Sequence, residues 1–71
     1  MKPTNYAITV RGRLGPALID AFEGMSVTTS PTQTLLEGRI VDQAALHGVL
    51  ELIESLGLEL LDVRRLDTPT P

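Results

Sequence analysis

The sequence contains no cysteine and no tryptophan, and it has a single histidine, a single phenylalanine and a single tyrosine. Without cysteine there is no disulfide, and His47 alone cannot complete a zinc site, which needs several Cys or His ligands. A lone histidine without a nucleophile or second acid is weak support for catalysis. The composition therefore predicts a protein that is not an enzyme, with no catalytic residues, no metal and no cofactor.

Basic residues are also few, since six Lys and Arg stand against nine Asp and Glu and give a formal charge of -3. This balance, with two aromatic residues in total, argues against binding nucleic acid, which favours a basic face and stacking platforms. No apolar run approaches the ~20 residues of a membrane span, and the N-terminus lacks the apolar stretch of a secretory signal. We expect a cytoplasmic protein without nucleic acid or membrane partners.

What is present is a small chain of 71 residues with a hydrophobic share of 42%, which is enough for one folded domain. Chains of this size bury only about 60% of the surface that the unfolded chain exposes, so their stability is marginal. Oligomerisation adds buried area where disulfides and metals cannot. A homodimer is therefore expected, and an additional protein partner is an open alternative.

Apolar residues recur with a period of two in four segments and with helical spacing in two others. The strands are predicted over residues 6–11, 25–29, 34–41 and 59–66. The helices are predicted from Pro16 to the stop at Gly24 and over residues 43–56. Residues 1–5 and 67–71 are predicted to be flexible polar ends around a single domain, 6–66.

The order β-α-β-β-α-β with right-handed crossovers predicts an α+β fold of the ferredoxin-like class. Its four-stranded antiparallel sheet has the order 4-1-3-2, with two helices on one face. Small residues on the helices predict close helix–helix contact: Ala17, Ala21, Ala45 and Gly48. Nine strand residues are predicted to face the helices: Tyr6, Ile8, Val10, Met25, Val27, Leu36, Ile40, Leu61 and Val63.

The opposite sheet face is predicted to be uncovered. It mixes small and charged residues with two leucines, and we interpret Thr9, Leu35 and Leu60 as an interface between two copies. Pairing through an edge strand is the alternative arrangement. Simple solvation of an antiparallel sheet face would also explain the pattern.

Four short strings resemble a family of small uncharacterised proteins common in actinobacteria. They are Arg11-Gly12, Phe22-Glu23-Gly24-Met25, the string DQAALHG from Asp42 to Gly48, and Leu56-Gly57-Leu58-Glu59-Leu60. The resemblance extends from Tyr6 to Leu66, and the string at Asp42 is its most specific part. It implies the same ferredoxin-like pattern and no established activity.

A candidate anion site lies between the first strand and the first helix, where Arg11, Gly12, Arg13 and Gly15 precede a helix N-terminus. The segment resembles the anion cradle of acylphosphatases. That family needs an asparagine on the adjacent hairpin, whereas the asparagine of this chain is Asn5. An ordinary strand–helix turn is the simpler interpretation.

The second helix begins with further candidate ligand residues, Asp42, Gln43 and His47. Asp42 has the simpler interpretation of a helix N-cap, and His47 that of a surface or interface histidine. We therefore predict a small non-catalytic interaction or regulatory module that self-associates. One alternative is a domain that binds an anionic or amino-acid-like effector at a subunit interface near the first strand–helix turn. The other is a small dimeric enzyme whose site combines His47 with an arginine.

Overall fold

The computed structural model describes residues 4–66 and contains six elements in the order β-α-β-β-α-β. The strands and helices are β1 (Thr4–Arg11), α1 (Pro16–Asp20), β2 (Ser26–Thr29), β3 (Gln33–Ile40), α2 (Gln43–Ser55) and β4 (Leu60–Arg65). Strand β1 begins two residues before its predicted start, so Thr4 and Asn5 belong to the sheet. The rest of the predicted flexible ends, 1–3 and 67–71, lies outside the described residues.

All neighbouring strands are antiparallel, and the order along the sheet is β2-β3-β1-β4, which read from the other edge is β4-β1-β3-β2. Strands β1 and β3 pair over eight residues, from Thr4 opposite Ile40 to Arg11 opposite Gln33. The chain is thus an α+β domain with β1 and β3 in the centre of the sheet and β2 and β4 at its edges.

The core lies between one face of the sheet and the two helices. The alternation in β1 and β3 places Ile8, Val10 and Leu36 on this face, and all three are fully buried. Ile53 of α2 reaches the same cluster, as does Phe22 from the turn after α1. Both helices therefore cover the same face, as the apolar pattern predicts.

Helix α1 is shorter than predicted, because it ends at Asp20 and the chain continues as a turn to Gly24, which has φ = 82°. The predicted close contact between the helices is wrong. Gly48 is exposed, and a Cβ built on it would meet nothing within 4 Å. Ala21, just after α1, and Ala45 of α2 instead line an open groove.

Leu61 and Val63 were predicted to face the helices, but both are exposed in β4. Val63 does share the helix-facing side with Ile8, its partner in β1. The helices lie over the central strands and do not extend over β4. On the opposite face, Ala7 is buried between Glu37 on β3 and Arg64 on β4, although that face carries no helix.

Replacing Gly48 with alanine should stabilise the protein by about 1 kcal/mol, because glycine is the poorer helix former and the added methyl has free space. In a domain of this size the melting temperature should rise by about 4–8 °C. Gly57→Ala is the matched control, since Gly57 has φ = 75° and the change should lower the melting temperature. A lower melting temperature for Gly48→Ala would show that the helix surface there is covered.

Ile53→Ala should cost about 2–5 kcal/mol, because it removes a side chain that is 1% exposed and leaves a cavity under α2. Urea unfolding followed by circular dichroism measures the change. Glu54→Ala, at an exposed position of the same helix, should stay within about 0.5 kcal/mol of the wild type. Equal effects of the two substitutions would contradict the orientation of α2.

Candidate functional site

The end of β1 and the turn after it carry four of the predicted ligand residues, and several of their polar groups already have partners within the chain. The guanidinium of Arg11 donates to both carboxylate oxygens of Glu59, from Nε to Oε1 at 3.0 Å and from Nη2 to Oε2 at 3.3 Å. The amide of Arg11 also donates to the Glu59 carbonyl at 2.9 Å. A bidentate pair of this kind fixes the guanidinium plane, so the Arg11 charge is directed at Glu59.

Thr34 holds the same turn from β3. Its hydroxyl donates to the Gly12 carbonyl at 2.8 Å and accepts from the Leu14 amide at 3.3 Å. The Gly12 amide donates to the Thr32 carbonyl at 2.8 Å. Thr34 is fully buried, and nothing in the sequence pattern indicates its role. A buried threonine with both hydrogen-bonding functions satisfied anchors the turn, since leaving these groups unpaired would be costly.

Helix α1, which follows this turn, has five residues and no side chain capping its first turn. The Gly15 carbonyl accepts from the amides of Leu18 and Ile19. A helix this short adds little dipole at its N-terminus. Arg13 and Gly15 are exposed beside it. The anion site at this turn stays a prediction, with fewer free donors than the sequence indicates.

The remaining predicted ligand residues lie at the start of α2. The Asp42 carboxylate accepts from the Ala45 amide at 2.7 Å, which is the predicted N-cap. Gln43 and His47 are exposed on the helix surface.

These residues and the first turn lie near opposite ends of the central strands. Arg11 is at one end of the β1–β3 pairing, while Ile40, just before α2, is at the other end. The seven intervening steps of about 3.4 Å make a separation of roughly 24 Å along the strand. Within one chain the predicted ligand residues therefore form two separate groups.

Two hollows on the described surface stand out, and neither contains a predicted ligand residue. The apolar one, about 260 Å³, lies between α2 and the turn that follows α1, over Phe22, Met25, Ile40 and Val49. The polar one, about 330 Å³, lies on the open sheet face and includes Glu37. Among residues 4–66 no group of three or more His, Asp or Glu is placed to hold a metal ion. In the same part of the chain neither helix is long and apolar enough to cross a bilayer.

The edge strand β4 is the most unusual surface of the described chain, because all six of its residues are exposed. Four large apolar side chains lie in and just after it: Leu60 is 43% exposed, Leu61 41%, Val63 37% and Leu66 41%. In the rest of the described chain, Val41 is the one other large apolar residue in this class. The segment 60–66, called here the β4 edge, therefore concentrates the exposed apolar surface.

The three predicted interface residues do not form one surface. Thr9 and Leu35 are opposite each other on β1 and β3, and both are half-buried. Leu60 is opposite Val10, because the register of β1 and β4 shifts between Thr9 and Val10. Residues opposite each other share a face, so the bulge moves Leu60 from the open face to the helix-facing side, where Val63 also lies. Alternation alone could not reveal the bulge.

Thr34→Val should destabilise the protein by about 1–3 kcal/mol, because valine keeps the shape but leaves the Gly12 carbonyl and the Leu14 amide without their partner. Thermal unfolding measures the loss. Thr28→Val, at an exposed position of β2, is the matched control and should change stability by less than about 0.5 kcal/mol. Equal stability of the two variants would show that the hydroxyl of Thr34 does not hold the turn.

Comparison with known protein families gives one match, to a family model described as a domain of unknown function (DUF8691), over residues 5–64. No curated protein and no solved structure matches the chain. The match agrees with the resemblance to an uncharacterised family, whose actinobacterial distribution stays a prediction. Because the model covers most of the sequence, the chain belongs to the DUF8691 family.

Proposed function

We propose that this protein is a small non-catalytic interaction module that self-associates through the β4 edge. The observation that carries the proposal is the exposure of the whole strand together with the apolar side chains of Leu60, Leu61, Val63 and Leu66. An edge strand also presents unpaired backbone N–H and C=O groups. Apolar side chains and open hydrogen-bonding groups on one strand are what strand addition uses.

The open sheet face is the less favoured interface. Its central residues are already partly covered by neighbours, since Ala7 is buried and Thr9 and Leu35 are half-buried. Asp62 and Arg64 on the same face pair with each other, with Nε of Arg64 3.5 Å from Oδ2 of Asp62. The centre of this face would therefore give a second copy little apolar area, whereas the apolar residues of the β4 edge are each 37% to 43% exposed.

The other edge of the sheet offers a weaker site. Strand β2 has four residues, and three of them are the polar residues Ser26, Thr28 and Thr29. Short polar edges are a common way in which proteins avoid strand pairing. Strand β4 is longer and more apolar, so the proposal assigns association to this edge.

Binding of an anionic or amino-acid-like effector near the first turn is the second candidate function, and we give it less support. The pairing of Arg11 with Glu59 and the bonds of Thr34 use groups that such a ligand would need.

The element order and the strand neighbours further support our proposal that the domain is of the ferredoxin-like class. Fold class by itself does not choose between these functions.

Val63→Lys should convert a dimer into a folded monomer, because it places a charge in the centre of the β4 edge while removing little core packing. Light scattering over a dilution series measures the mass, and circular dichroism checks the fold. Val41→Lys is the matched control, since Val41 is 56% exposed and lies outside β4. It should leave the dimer unchanged.

Leu35→Glu tests the open sheet face as the competing interface, because Leu35 lies on that face. A folded monomer for Leu35→Glu and a dimer for Val63→Lys would move the interface from the edge to that face. A wild-type monomer at every concentration would overturn self-association altogether.

A further inference from the structure

We infer that the partner of the β4 edge is a second copy of this chain, paired antiparallel so that the two-fold axis passes between the two Val63 residues. The inference rests on the proposed function and adds the register of the pairing. Two sheets joined in this way form one continuous antiparallel sheet of eight strands.

Symmetry restricts the registers of such a pair. A two-fold axis that relates adjacent antiparallel strands is perpendicular to the sheet, so it keeps each residue on its own face. Residues that lie opposite each other must therefore come from the same face of the sheet. Neighbouring residues of a strand lie on different faces, so the axis must pass between two copies of the same residue and cannot pass between two peptide bonds. Most residues of β4 are paired if the axis passes at one of three residues: Asp62, Val63 or Arg64.

The backbone of β4 is oriented for this pairing. The Leu66 amide donates to the Asn5 carbonyl at 2.8 Å, so the polar groups of Leu66 are directed at β1. Antiparallel strands alternate the direction of these groups from one residue to the next. The N–H and C=O of Arg65 and Val63 are therefore directed away from β1. Val63 can donate to and accept from Val63 of the second copy across the axis.

Charge selects among the three centres. An axis at Asp62 would place the two Asp62 carboxylates opposite each other, and an axis at Arg64 would do the same with two guanidinium groups. Like charges directly opposite each other destabilise a strand pair. An axis at Val63 places Asp62 of each copy opposite Arg64 of the other. The pair that lies 3.5 Å apart within one chain then becomes a four-charge group of alternating sign.

The same register gives two of the four apolar side chains of the β4 edge a partner. Val63 is opposite Val63, and Leu61 is opposite the aliphatic part of Arg65. Charged residues on an edge strand ordinarily prevent pairing with other strands. In β4 the acid and the base flank Val63 symmetrically, so the charges that oppose unrelated strands complement a second copy of this one.

Single cysteine substitutions test the register directly, because the chain has no cysteine of its own. In the proposed dimer the two Val63 Cα atoms are about 5.5 Å apart, as in a hydrogen-bonded antiparallel pair, which is within disulfide range. Mild oxidation of Val63→Cys with diamide should give nearly complete covalent dimer on a non-reducing gel. Asp62→Cys and Arg64→Cys, the matched controls, should stay uncrosslinked, because each lies diagonal to its own copy.

Charge reversal gives a second readout. Asp62→Lys alone and Arg64→Glu alone should each weaken self-association about tenfold, since each creates two like-charge pairs across the axis. The double variant should recover the wild-type dissociation constant, and mixing the two single variants should give a heterodimer in preference to either homodimer.

The outcomes separate the register from the proposed function. The Val63 axis would be overturned if Asp62→Cys or Arg64→Cys crosslinked fastest, or if the single charge reversals had no effect on the dissociation constant. In either case a wild-type dimer that is lost in Val63→Lys would still support the β4 edge as the interface. A wild-type monomer in light scattering would overturn both proposals. The full result expected is a wild-type dimer, crosslinking confined to Val63→Cys and rescue in the double charge variant.

Discussion

The structure depends on how much of the sheet two helices can cover. A helix with its side chains is about 10–12 Å wide, and neighbouring strands are about 4.8 Å apart, so one full-length helix covers about two strands. Two such helices would cover four strands. In this chain α1 has five residues and α2 has thirteen, so the apolar cover is complete over β1 and β3 and fails at β4.

Because the helices leave β4 without apolar cover, the stability of the domain is linked to its self-association. Ile8, Val10, Leu36 and Ile53 are almost fully buried and form a small core. Leu61 and Val63 lie outside this cluster and are 41% and 37% exposed. A domain this small has few other sources of free energy. Burial of the β4 edge against another strand would add apolar area at the place where the monomer lacks it.

The sequence predicts those parts of the fold that depend on local periodicity. Alternation located all four strands, and Asp42 was recognised as the cap of α2 because its side chain competes well for free helix amides. The bulge opposite Val10 and the exposure of Leu61 were not predictable in this way. The bulge belongs to the register of β1 and β4, and the exposure of Leu61 depends on tertiary packing, and neither leaves a periodic signal.

The candidate sites show the same difference between features that local sequence predicts and features that depend on long-range packing. The residues of the first turn and those at the start of α2 were both predicted as ligand residues because they lie near a helix start. The pairing of β1 with β3 places them at opposite ends of the strands. Thr34 was overlooked because a threonine in a strand is common, and its importance comes from the Gly12 carbonyl and the Leu14 amide that it bonds. Long-range register decides both cases.

Strand pairing between copies raises the question of why such an assembly would stop at two. An isologous contact uses the same edge of both copies, so the β4 edges are consumed together. The outer edges of the combined sheet are then the two β2 strands, each of four residues with Ser26, Thr28 and Thr29 exposed or half-buried. Short polar edges resist further pairing. The asymmetry between an apolar, charge-symmetric β4 and a short, polar β2 therefore favours a closed dimer over a growing fibre.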